Sequence, residues 1–116
     1  MRIGINASGM LGNPDLKRLE TQARTAAEQG FASFWLAQAT TIDALTVIAA
    51  LGRSVPNIEF GTAVIPTYPR HPTTLAGQAM TTQAIIDGRL TLGIGLSHKP
   101  MIEGFYGMSF DKPIRH

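Results

Sequence analysis

The sequence predicts an α/β domain built on parallel strands. Three observations carry that expectation. Short β-rich runs start about every 30 residues, the length of one βα unit. The gaps between them hold helical patterns too long for hairpins, so the strands pair in parallel. FASFWLA (31–37) is a nearly continuous apolar run, as expected of a strand covered on both faces.

Taken in order, RIGIN (2–6) reads as the first strand. Asn13-Pro14-Asp15 then opens a helix: Asn13 is the expected N-cap, Pro14 suits the first helical position, and Asp15 complements the dipole. Leu16, Leu19, Ala23, Ala26 and Ala27 recur at helical spacing, and Gly30 closes the helix. FASFWLA is the second strand. Thr40 and Thr41 offer caps for a second helix through Asp43, Leu45, Val47, Ile48 and Leu51, and Asn57 marks a turn. IEFGTAV (58–64) is the third strand. Pro72 starts a third helix with Leu75, Ala79, Thr82 and Ile86 on one face, and Asp87-Gly88 is a turn. RLTLGIG (89–95) is the fourth strand, followed by a loop and a short helix.

With 116 residues, 44% hydrophobic and 16% charged, the chain suits one small globular domain. A net charge of +2 without any Lys/Arg run argues against a nucleic-acid partner. The absence of cysteine excludes disulfides and thiolate metal sites. No apolar run approaches the roughly 18 residues of a membrane span, and MRIGINASG is too weakly apolar for a signal peptide. The expectation is a cytoplasmic protein without a membrane partner.

In parallel α/β folds ligands bind beyond the carboxyl ends of the strands. Four segments therefore matter: 6–12, 37–41, 63–71 and 95–100. The third is the most distinctive. GTAVIPTYPRHP (61–72) begins as a core strand and runs into three prolines, which cannot continue a ladder and so stiffen a wall at the ligand end.

FWLA, GTAVIPTYPRHP and GRLTLGIGLSHKP together resemble the N-terminal half of the luciferase-like monooxygenases, with the strongest likeness to the branch that uses the deazaflavin coenzyme F-420. The resemblance covers essentially the whole chain. It implies the first four strands or so of a TIM-type (β/α)8 barrel, which typically needs about 250 residues. Residues 1–116 are then a single partial domain, and a homo-oligomer or a complementary half barrel is the expected partner, besides a small-molecule substrate. The implied activity is hydride transfer between coenzyme F-420 and an organic substrate. The alternatives are an FMN-dependent monooxygenase fragment or a non-catalytic association module. An open flavodoxin-like sheet is a further reading, for which four strands are few.

The resemblance also implies a bulge at the end of the third strand, with a non-proline cis peptide at Ala63–Val64 lying against the cofactor ring. It implies cofactor contacts from Gln38, Thr62, Ala63, Val64, Gly95, Leu96 and Ser97, and a proton-donor role for His98. No metal site is expected. The Asp-His pair of the family's sugar-phosphate dehydrogenases is replaced here by Gln38-Ala39, which speaks against that substrate.

The same residues admit plainer readings. Gly93 and Gly95 provide clearance, either for a ring or for packing. Gln38 bonds a ligand or sits at a solvated loop mouth. His98 faces the ligand or is a loop histidine beside Lys99. Arg70 pairs with an anionic ligand or with the surface. Trp35 is expected in the core, His71 at a helix start, and Phe105, Tyr106, Met108 and Phe110 as packing in the tail.

Overall fold

The structure, a computed structural model, describes residues 2–7, 15–38, 42–96 and 103. Strand β1 (Gly4–Asn6), helix α1 (Leu16–Glu28), β2 (Ser33–Leu36), α2 (Ala44–Ser54), β3 (Glu59–Thr62), β4 (Ile65–Pro66), α3 (Pro72–Ile85), β5 (Leu90–Thr91) and β6 (Ile94–Gly95) follow one another. The main sheet has the order β1-β2-β3-β5, and every pair is parallel. A second parallel pair, β4 with β6, extends its far half beyond the ends of β3 and β5.

The strand order never reverses. Register places Ile5, Phe34, Phe60 and Leu90 on one face, and that face packs on all three helices. A doubly wound sheet would reverse its order and carry helices on both faces. The flavodoxin-like reading is therefore set aside: the sheet is a singly wound arc.

The core lies between that face and the helices. Leu19, Ala23 and Ala26 of α1, Leu45, Ile48 and Leu51 of α2, and Leu75 of α3 close over Phe34, Leu36 and Phe60. Phe34 and Phe60 meet edge to face, with ring centroids 6.2 Å apart. Trp35 is not part of this core. It is half-buried on the opposite face, where its ring lies across Gly61 and Gly4 and its Nε1 donates to Ser33 Oγ at 2.8 Å. The expectation failed because period-2 alternation puts Trp35 out of phase with Phe34 and Leu36.

Caps account for the helix starts. Asp15, not Asn13, is the N-cap of α1, and its carboxylate accepts from the amides of Lys17 and Arg18. Asn13 and Pro14, like Thr40 and Thr41, lie outside the described residues. Asp43 caps α2, accepting from the amide and hydroxyl of Thr46 at 2.9 and 2.6 Å. Pro72 opens α3 as expected, with His71 as N-cap through Nδ1, which accepts from the Thr73 amide. Gly30, at φ 87°, takes the left-handed position that ends α1, while the Phe31 amide reaches back to Ala26 O.

The third and fourth strands differ from expectation. Each reads as one run in the sequence, and each is divided. Gly61 pairs with Thr91 and Ile65 with Ile94. Three residues (62–64) thus oppose two (92–93), which is one extra residue and defines a bulge on the third strand. Thr62 fills the gap: its hydroxyl donates to Gly93 O at 2.8 Å and accepts from Gly93 N at 2.8 Å. Pairing resumes with Ile65 N to Gly93 O and Thr67 N to Gly95 O, both 2.9 Å. The Ala63–Val64 peptide is cis, as the resemblance implied.

Candidate functional site

The bulge stands at the carboxyl end of the sheet. Ala37, Ala63, Val64 and Leu96 are exposed there, each just past a strand or at its end. The Gln38 amide donates to Val64 O at 3.2 Å, joining the loop after β2 to the bulge. Val64 overhangs β6: a Cβ built on Gly95 would meet Val64 Cγ2 at 2.6 Å. The segments after the second, third and fourth strands therefore gather at one end, as the parallel arrangement requires.

Thr62 is fully buried, and its hydroxyl is committed to Gly93. Its carbonyl is packed against Gly93 as well, so Thr62 holds the bulge from behind and its expected direct contact with a cofactor does not fit its burial. Ala63 and Val64 project from the bulge, with Val64 40% exposed, and form a small ledge of backbone and short side chains. Gly93 is needed by the fold itself, because a Cβ there would come within 2.1 Å of Thr62 O. Gly95 leaves room for Val64 in the same way. The glycine pair thus serves packing between the third and fourth strands. Ser97 and His98 lie outside the described residues, as do Lys99 and the tail aromatics.

Gln38 is drawn into a network that sequence reasoning missed. Its Oε1 accepts from Ala44 N at 2.9 Å and from Arg70 Nη2 at 2.9 Å. Arg70 Nη2 also pairs with Asp43 Oδ1, and Nη1 donates to Gln78 Oε1 at 2.7 Å. Arg70 therefore faces neither open surface nor an empty anion site. Burial pushes the Asp43 carboxyl up, but the Thr46 hydrogen bonds and the Arg70 guanidinium outweigh it and hold the group below the ordinary carboxylate value. The one available signal was weak: Arg70 follows a Pro-rich turn and Asp43 precedes an apolar helical run, the place of a capping residue.

Arg89 lies at the opposite, amino end of the sheet. Its guanidinium donates to the carbonyls of Gly52, Val55, Ile58 and Ile86, and it lies 6.0 Å from the Phe60 ring centroid. This explains structurally the GR that begins the fourth strand.

A singly wound parallel arc with helices on one face and a bulged third strand defines a segment of a (β/α) barrel. The luciferase-like monooxygenase family model matches residues 1–116, and the chain belongs to that family. A Mycobacterium tuberculosis protein named as a coenzyme F-420-dependent oxidoreductase is 34% identical over 114 residues, covering 98% of this chain and 33% of its own length. The coenzyme F-420-dependent tetrahydromethanopterin reductase from Methanopyrus kandleri overlays with a TM-score of 0.81 at 21% identity, over 94% of this chain and 30% of that one. The oxygenating constituent of 3,6-diketocamphane monooxygenase from Pseudomonas putida, in complex with FMN, overlays with a TM-score of 0.83 at 22% identity, over 99% of this chain and 36% of that one. The chain thus spans about a third of the length of these relatives. Among the described residues, no cluster of His, Asp and Glu could hold a metal ion, and no helix is long and apolar enough to cross a membrane.

Proposed function

We propose that this chain forms the ring-binding part of an oxidoreductase that uses coenzyme F-420 for hydride transfer to or from an organic substrate. The observation that carries this reading is the bulge, which leaves Ala63 and Val64 exposed at the ligand end of the sheet. A flat tricyclic ring needs a flat support without bulky side chains. Ala37, Ala63 and the Val64 side chain over Gly95 are the exposed groups that support this reading.

When bound, either deazaflavin or FMN supplies two-electron hydride chemistry, and FMN adds oxygen activation. The chain's own part is placement. In the proposed site, the backbone of Ala63 and Val64 supports one ring face, with buried Thr62 behind it, and Gly95, Leu96 and Ser97 border it. Gln38, through its tether to Val64, fixes the height of the support. His98 is proposed to exchange the proton that accompanies hydride transfer at the substrate, a task suited to an imidazole. The identity to the tuberculosis protein favours coenzyme F-420, and the overlay with the FMN-bound monooxygenase keeps FMN as the competing cofactor.

Trp35 is the chain's single tryptophan and lies on the uncovered face of the sheet, so its emission reports ring binding directly. Titration with coenzyme F-420 and, separately, FMN should give saturable quenching with one of them at a 1:1 ratio. Quenching by neither would remove the cofactor assignment.

A second reading is favoured by the two ends of the arc. Ile3 and Ile5 are 53% and 37% exposed beside the β1 edge, and Met80 and Leu92 are 73% and 39% exposed beside the β5 edge. Exposed strand edges flanked by apolar residues seek partners. We propose that a complementary half barrel or a second copy covers them. Particle size measured during the same titration tests this: a monodisperse monomer at micromolar concentration would count against it.

A further inference from the structure

We propose that Arg70 is a positioning residue that sets the ring-supporting ledge from behind, acting through Gln38 on the Val64 carbonyl. This rests on the cofactor reading above and adds to it a residue remote from the ring.

Arg70 is only 11% exposed at its side chain, and its guanidinium meets three side chains from two places in the fold. Asp43 and Gln38 come from the segment that joins β2 to α2, and Gln78 comes from α3. Arg70 itself ends the turn after β4, where its amide donates to Thr67 O at 3.2 Å. The link to the ledge is short. Arg70 Nη2 holds Gln38 Oε1, and the Gln38 backbone amide holds Val64 O. Gln38 Oε1 is held a second time by the amide of Ala44, the first residue of α2. The amide side of Gln38 is thereby fixed between the helix start and the bulge.

The residue type matters for geometric reasons. A guanidinium is a planar fork with five N–H donors, and here it serves a carboxylate and two amide oxygens at once. A lysine ammonium keeps the charge opposite Asp43 but lacks the fork that reaches Gln38 and Gln78 together. The role is therefore not that of a charge alone. The lowered Asp43 carboxyl is consistent with a guanidinium resident beside it.

Amide hydrogen exchange and cofactor titration on the same variants test this. Arg70→Met should speed exchange at Gln38 and Ala44 by about tenfold or more and weaken the dissociation constant for the cofactor that wild type binds, F-420 or FMN, by a similar factor. The Phe34 and Phe60 amides, in the middle of the sheet, should keep their protection. Arg70→Lys should resemble Arg70→Met at Gln38. Should Arg70→Met fail to fold, Gln38→Met cuts the same link while leaving Arg70 opposite Asp43, and the same two effects are expected of it. Unchanged exchange at Gln38, full recovery by Lys, or weakened exchange protection with wild-type cofactor affinity would each overturn the proposal. Wild type binding neither cofactor is a different result: it overturns the cofactor reading, while the exchange data still decide whether Arg70 holds Gln38.

Discussion

Replacing Thr62 with Val tests whether a buried hydroxyl builds the bulge. The two side chains have nearly the same shape, so the change removes one oxygen and little else. That oxygen makes two hydrogen bonds to Gly93, each 2.8 Å long. The losses are unequal. Gly93 O keeps the Ile65 amide as a donor at 2.9 Å, so the carbonyl remains satisfied. The Gly93 N–H has no second acceptor on the short path between β5 and β6, and an unsatisfied buried donor costs about 1–3 kcal/mol. Gly93 is half-buried, which favours the lower part of that range, and the additional methyl of Val returns up to about 0.8 kcal/mol. The net expectation is a loss of about 1 kcal/mol. It should appear as a lower urea midpoint at unchanged slope, with faster amide exchange at Gly93 and Ile65. Thr62→Ser keeps the oxygen and should preserve that protection even where the missing methyl lowers stability. Slow exchange at Gly93 in the Val variant would refute the reasoning, because the amide would then have an acceptor other than the hydroxyl.

Three further outcomes follow from the same contacts. Gly93→Ala places a Cβ against Thr62 O at 2.1 Å, backbone against side chain with nothing flexible to yield, and should lower stability by about 1–3 kcal/mol in urea unfolding. Gly95→Ala meets only the movable Val64 Cγ2 at 2.6 Å, so it should shift Val64 and weaken cofactor quenching of Trp35 more than it lowers the urea midpoint. For Asp43 the folded-state pKa is depressed, so its contribution is present above the ordinary carboxylate value of about 3.9 and is lost as pH falls through the lowered value. Wild type should therefore lose more stability than Asp43→Asn between pH 5 and acid conditions near pH 2, read as urea midpoints across roughly that range.

The elements most legible in sequence were those set by local chemistry. Gly30 reads as a helix end and Asp87-Gly88 as a turn, and all three residues have positive φ. Pro72 starts a helix as expected, and of the expected face Leu75, Ala79, Thr82 and Ile86, three residues are buried and Ala79 is half-buried. Errors arose where a distant partner decides. Nothing in RLTLGIG shows that Thr62, thirty-one positions away, will bond to both backbone groups of Gly93 and divide the run. Trp35 looked like core because it is large and apolar, but its phase against Phe34 assigns it to the other face. Gln38 was named for a ligand because of where it falls, and the partners that fix it, Arg70 and Ala44, could be found only once the loops were assembled.

The two half-buried arginine clusters show how one sheet is made firm at one end and shaped at the other. At the amino end Arg89 donates to backbone carbonyls. Its acceptors are carbonyls at or near the C-termini of α2 and α3, Gly52, Val55 and Ile86, together with Ile58 at the approach to β3. Helix C-termini carry partial negative charge, so a guanidinium there is matched by dipoles and satisfies carbonyls that lack helical donors. That is a stabilising contact, in keeping with the amino face of barrel folds. At the carboxyl end Arg70 meets a full negative charge and two amide side chains, one of which reaches the bulge. Arg89→Ala should therefore cost global stability, about 3 kcal/mol or more, because it strips four carbonyls of a charged donor. Arg70→Met should act mainly on local exchange and on cofactor affinity. If both variants lowered global stability equally and left Gln38 exchange alike, the division between a structural end and a binding end would not hold for this sheet.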